Sequence, residues 1–300
     1  MSIAHGTILS GLSTVPDLEQ GLRAYGDVLG LRLVEKGVLP EELAISWGCA
    51  SNAGSPYAVL RPASGEPCWF RLIEQVSHPE FKATRSYGWA AFECTVADVW
   101  RWPKELPADL FTVVGMPKNI ENMQPTFIPM QALGPGREMI YLNEVLIPES
   151  DLNLPPAKSP VDRIFICVLA APDRAASVAW YRDALGLEKG TDYTIPYTMI
   201  NKAFDLPAGT QTTLTMVRSG KMPVVEVDDY PDAATPRPRH AGMLPPGNAL
   251  VTLAMSDLNA CNLDWITPPA AQEGAMYEGR RAATTIGPAG ELLELVETGK

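Results

Sequence analysis

The feature that most constrains this chain is that it repeats itself. Residues 24–31 read AYGDVLGL and residues 180–187 read WYRDALGL. Aligning them sets Tyr25 on Tyr181, Asp27 on Asp183 and Leu29-Gly30-Leu31 on Leu185-Gly186-Leu187, an offset of 156 residues that also superposes Pro16-Asp17 on Pro172-Asp173. A 300-residue chain that repeats at about half its length is built from two related halves. The break between them falls at 148–160, where four prolines and a charge cluster separate two apolar runs. Residues 1–147 and 161–300 are therefore expected to be the two domains.

Each half follows one plan. An apolar run (6–15; 163–169) reads as a strand, and Pro-Asp supplies a helix N-cap before an amphipathic stretch that stops at Leu-Gly-Leu. Two strands around a Gly/Pro turn follow, in 57–76 and 212–230. A second unit begins at GWAAFECTVADV (88–99) and NALVTLAMSDL (248–258), each a strand leading to an Asp-led helix start. Each half closes on a strand preceded by Gly-Pro, at 133–145 and 286–297. Four strand–helix–strands units, two per half, predict an α+β fold with mostly antiparallel sheets.

Composition narrows the partners. The chain is 46% hydrophobic and 20% charged, with a net charge of −11. Its basic residues do not gather beyond Arg237-Pro-Arg239 and Arg280-Arg281, so neither nucleic acid nor an anionic membrane is an expected partner. No run approaches 18 uncharged apolar residues, and the N-terminus lacks a signal-peptide pattern. The five cysteines are scattered without a CxxC, which predicts buried free thiols in a reducing, cytoplasmic setting. Neither phosphate-binding glycine loops nor a GxSxG elbow occurs.

PDLEQGLRAYGDVLGL (16–31), PDRAASVAWYRDALGL (172–187) and GPAGELLELVE (287–297) resemble the vicinal oxygen chelate superfamily, which includes glyoxalase I, bleomycin-resistance proteins and extradiol dioxygenases. The resemblance implies two tandem domains, each of two βαβββ modules with curved, mostly antiparallel sheets around a trough. It also implies a divalent metal held by His, Gln and Glu at four strand positions. Carried over residue by residue, the closing-strand Glu is Glu294 and the earlier Glu is Glu226. The histidine positions fall on Arg163 or Ile166 and near Leu250, beside Asn248. In the first half the four positions fall near Ser10, on Phe70 or Arg71, on Trp89 and on Tyr141, which is no metal-ligand set.

The resulting expectation is a protein that binds and transforms a small organic molecule in a sheet-lined pocket, with a degenerate or absent metal site. Glu226 and Glu294 are the expected catalytic groups, projecting into one shared pocket with Arg163 as their counter-charge. A divalent metal at Glu226/Glu294 is the alternative to a cofactor-free site. Tyr197, His240, Trp89 and Tyr141 are the other expected ligand contacts; Arg237, Arg239 and His240 together suit an acidic ligand, and the tyrosines an aromatic one. As an enzyme it would be a lyase, isomerase or dioxygenase of this type. The competing reading is a metal-free binding or sequestering protein of the bleomycin-resistance kind. Either version is compatible with a homodimer.

Overall fold

A computed structural model describes residues 3–119, 126–147 and 154–299. Residues 148–153 of the expected linker lie outside the described residues; 154–160 form neither helix nor strand. The chain builds four modules. The first holds β1 (Ile8–Val15), α1 (Leu18–Leu22), β2 (Arg32–Val38), α2 (Glu41–Ser46), β3 (Pro56–Arg61) and β4 (Trp69–Glu74). The second holds β5 (Gly88–Val96), α3 (Trp102–Glu105), β6 (Thr112–Gly115), β7 (Phe127–Leu133) and β8 (Met139–Val145). The third holds β9 (Val161–Ala171), α4 (Arg174–Leu185), β10 (Glu188–Pro196), α5 (Thr198–Ala203), β11 (Gln211–Ser219) and β12 (Met222–Asp229). The fourth holds β13 (Asn248–Met255), β14 (Ala270–Ala271), β15 (Arg281–Ile286) and β16 (Leu292–Glu297).

The repeated motif forms helix for the expected reasons. The Asp17 and Asp173 side chains accept from the backbone N–H of Gln20 and Ala176, capping α1 and α4. Helix α4 ends at Gly186, whose φ of 66° is the left-handed conformation that glycine reaches without a Cβ clash. In the first copy α1 widens into a π-helical turn over Arg23–Val28. The fourth module departs from the plan: its Asp257-led start yields only a 3₁₀ turn, Leu258–Ala260.

The modules pair across the halves. One eight-stranded sheet runs β14-β15-β16-β13-β1-β4-β3-β2 and joins the fourth module to the first. The other runs β10-β11-β12-β9-β5-β8-β7-β6 and joins the third to the second. We call these the first and second sheets. The α+β architecture of paired βαβββ modules stands, but residues 1–147 do not own one sheet and 161–300 the other. Each sheet takes one module from each half.

Side-chain alternation then sorts residues onto two faces of each sheet. One core lies between the sheets and under α1 and α4, with Tyr25, Phe70, Trp89, Phe92, Ile164 and Tyr181 among its members. The approach is close: a Cβ on Gly11 of β1 would lie 2.7 Å from the Phe92 ring of β5. The two outer faces carry separate cores. Leu43 and Trp47 from the α2 segment cover the first sheet, and Met199 and Ile200 of α5 cover the second.

Two tyrosine–glutamate bonds cross the junction. Tyr25 OH donates to Glu138 Oε1 at 2.9 Å, and Tyr181 OH donates to Glu291 Oε1 at 2.8 Å. The second oxygen of each carboxyl accepts from a turn N–H, of Gly136 at 2.7 Å and of Ala289 at 2.8 Å. The repeated tyrosine therefore does more than pack its helix. It ties each half's helix to that half's closing Gly-Pro turn.

Candidate functional site

The outer faces hold the two candidate sites. On the first sheet, Leu12 of β1 is in register with Arg71 of β4, and Thr252 of β13 with Glu294 of β16. On the second, Val168 of β9 is in register with Glu226 of β12, and Glu93 of β5 with Tyr141 of β8. Arg71 thus corresponds to Glu226, Thr252 to Glu93 and Glu294 to Tyr141. The same four positions carry opposite electrostatics.

The first-sheet position is a closed ion pair. Arg71 Nη1 lies 3.0 Å from Glu294 Oε2, and both side chains are fully buried. Glu294 Oε1 accepts from Trp47 Nε1 at 2.7 Å and from Tyr277 OH at 2.6 Å, while Oε2 also accepts from Thr252 Oγ1 at 2.6 Å. With Arg71, that gives the carboxylate four donors and fills its accepting capacity. Arg71 in turn donates through Nε to Ser10 Oγ at 2.9 Å and through Nη1 to Tyr277 OH at 2.9 Å, and lies over the Trp47 ring at 5.0 Å. Burial is the largest single influence and disfavours the guanidinium's charge, but Glu294, Tyr277 and Tyr57 together outweigh it and hold Arg71 above its ordinary value. Where the superfamily would place a metal, this sheet places an arginine, and a guanidinium and a metal ion cannot share one carboxylate's inner face. The residues do not fit a metal.

The second-sheet position is acidic and uncompensated. Glu93, Glu226 and Asp228 are buried, and among the described residues no Lys, Arg or His side chain forms an ion pair with any of them. Glu226 Oε1 accepts from Tyr197 OH at 3.2 Å, and that hydroxyl lies 3.1 Å from Tyr141 OH. Glu93 Oε2 accepts from Asn143 Nδ2 at 2.9 Å. Burial pushes the Glu226 carboxyl up to about 7, against hydrogen bonds from Tyr197 and Asp228 that pull it down. Burial also raises Glu93, with the Glu226 charge adding to the effect, and raises Asp228 in the same way. Among the described residues no trio of His, Cys, Asp or Glu has the arrangement to hold a metal ion, so the superfamily's metal finds no fitting ligand set here either.

The expected site residues therefore divide. Glu226, Tyr197 and Tyr141 meet on one face, although Tyr141 comes from the other half of the chain. Glu226 and Glu294 do not share a pocket: they lie on different sheets, so neither a joint catalytic role nor one metal between them is available. Arg163 is not their counter-charge; its Nη1 pairs with Glu66 Oε1 at 2.9 Å. It lines a cleft of about 250 Å³ with His5, Phe165, Ser219 and Met222, which contains none of the buried acids. Trp89 faces the core between the sheets, where its Nε1 donates to the Leu292 carbonyl at 2.8 Å, so it contacts no ligand trough. His240 stacks on His78 at 4.7 Å, in the loop that meets Ser51 of the first module. Sequence reasoning missed Glu93 and Asp228. Their signal was present: Glu93 is a lone charge in GWAAFECTV, and Asp228 sits two residues past Glu226 on the same strand face.

Glyoxalase I from Zea mays superposes with a TM-score of 0.63 at 16% identity, covering 97% of this chain and 92% of that one. A putative dioxygenase from Bacillus subtilis subsp. subtilis str. 168 superposes at 0.59 and 13% identity, covering 99% and 87%. This chain has the vicinal oxygen chelate fold. No protein-family model and no curated protein matches its sequence. The vicinal oxygen chelate scaffold is thus present over nearly the whole chain, while the positions expected to carry its metal-binding histidines hold none. Among the described residues no helix is long and apolar enough to cross a membrane.

Proposed function

We propose that the outer face of the second sheet binds and transforms a small organic molecule, with Glu226 as its proton-transfer group. The observation that carries this is the buried run Glu226–Tyr197–Tyr141, a carboxyl raised to about 7 and joined at 3.2 and 3.1 Å to two phenols. Near neutral pH such a carboxyl populates both protonation states, as a group that takes and returns a proton must. A phenol beside it can donate to an oxygen that gains negative charge as the proton leaves. The likeness in fold to glyoxalase I and to a putative dioxygenase supports reading this face as a reaction trough. No step passes through a metal.

The first-sheet cluster serves the fold instead. Its carboxylate has no free acceptor and its arginine no free charge, so it offers a ligand nothing. A second reading, binding without turnover, draws on α5: Tyr197 at its start bonds Glu226 directly, and this cover must shift before a ligand reaches the acid.

The test is proton exchange. Small α-hydroxy and α-amino carbonyl compounds, incubated in deuterated buffer with chelator, should exchange their α-protons under wild-type protein. Glu226→Gln should slow that exchange about 100-fold or more, the usual range for losing a general base. Exchange that Glu226→Gln leaves untouched overturns the proposal. Binding with no exchange by either protein selects the second reading.

A further inference from the structure

We infer that the molecule bound on the second sheet is an organic cation, an ammonium group carried on an apolar or aromatic body. This rests on the reading of that face as the ligand site. At equivalent register positions the first sheet supplies both charges of a pair, Arg71 and Glu294, whereas the second supplies Glu226 and Glu93. With Asp228, that makes three carboxyls at 3%, 6% and 1% exposure for Glu93, Glu226 and Asp228. The positive partner that Arg71 provides on one sheet has no counterpart on the other.

A separate observation points the same way. Asn143 and Thr95, both at 0% exposure and in register on β8 and β5, carry side-chain oxygens without a hydrogen-bond partner. Asn143 gives its amide nitrogen to Glu93, which leaves its carbonyl oxygen beside that acid as an acceptor lacking a donor. Asp228 Oδ1 is likewise unpartnered. Buried polar atoms are ordinarily bonded, so the unpaired Asn143 oxygen beside Glu93 calls for a donor from outside. An ammonium carries three donors and no acceptor, whereas a carboxylate ligand would bring only further acceptors and a like charge.

The surroundings suit the rest of such a molecule. Tyr141, Tyr193, Tyr197, Phe204 and Tyr230 pack on this face, and aromatic rings attract a cation. The nearby arginines are committed elsewhere: Arg237 donates to Ser86 Oγ and the Asn248 carbonyl, and Arg85 lies over the Phe204 ring at 5.1 Å. Burial shifts all three carboxyls toward the protonated form. A cation that binds them must therefore expel protons.

The experiment compares benzylammonium with benzyl alcohol and benzoate, and separately adds MgCl2 and MnCl2, at pH 7.5. At several times its Kd, benzylammonium should raise the melting temperature by about 2–4 °C. Calorimetry in two buffers of different ionisation enthalpy should show release of about one proton per ligand bound. Glu226→Gln and Glu93→Gln, each checked for native circular dichroism, should both lose this response. If benzyl alcohol or benzoate binds as well in a Glu226-dependent way, the ligand site stands and the cation inference fails. If a divalent ion stabilises more than the ammonium does, a metal meets the charge and the inference fails. If nothing binds, the inference and the site reading fail together.

Discussion

Arg71 and Glu226 stand at the same register position of two corresponding sheets, each paired with the first strand of its module. One makes its site neutral and closed. The other leaves its site with buried acids that no basic side chain pairs among the described residues.

The first prediction concerns the closed site. Removing Arg71 strands Glu294 in a fully buried setting, so Arg71→Ala should cost about 3–5 kcal/mol in urea or guanidinium unfolding. Arg71→Met with Glu294→Met removes both charges and should recover much of that loss. A double variant as unstable as the single would show that the pair itself holds the first sheet.

Arg163 gives a contrasting case. Its bond to Glu66 is partly exposed, at 15% and 23% for the two side chains, and solvent screening weakens such pairs. Arg163→Ala should therefore cost no more than about 1 kcal/mol by the same measurement.

The junction tyrosines come next. Tyr25→Phe and Tyr181→Phe each remove a donor from a buried carboxyl while leaving the ring in place. Each should destabilise by about 1–3 kcal/mol. The two effects should add, since Tyr25 and Tyr181 bind different carboxyls, Glu138 and Glu291.

Stability should also depend on pH in a particular direction. Burial raises Glu138, Glu226 and Glu291 to about 7 from an ordinary value of 4.5. A folded pKa above the unfolded one means the native state binds more protons between these values. The contribution is complete below about pH 4.5 and is lost as pH rises through about 7. The protein should thus be less stable at pH 8 than at pH 5.5, by an amount on the order of a few kcal/mol, and melt at a lower temperature. Glu226→Gln, neutral at every pH, should flatten part of that slope. A melting temperature that rises steadily from pH 5.5 to 8 would contradict the assignment.

How far the sequence carried these conclusions depends on the residue. Asp17 and Asp173 announced their helices, and Gly186 its end, because capping is local chemistry. Glu226 stood out as a charge between valines, and Tyr197 as an aromatic in an insert. What stayed hidden was partnership. A repeat at 156 residues equates the first module with the third and the second with the fourth, but it does not say which modules share a sheet. Hence nothing in the sequence brings Arg71 to Glu294 in the other half, and Arg163, nearer in sequence to Glu226, is the counter-charge the sequence suggests. Glu93 and Asp228 were legible from strand alternation alone. They lie outside the positions that the superfamily resemblance singles out.

The division of labour between the sheets can be measured with one comparison. The compound that shifts the melting temperature most in the panel above is titrated calorimetrically into wild type, Glu226→Gln and the Arg71→Met/Glu294→Met double variant. Affinity should fall at least about tenfold in Glu226→Gln, a loss of roughly 1.4 kcal/mol, and stay within error of wild type in the folded double variant. Unchanged affinity in Glu226→Gln, with loss in the double variant, would place the ligand on the first sheet and contradict the assignment.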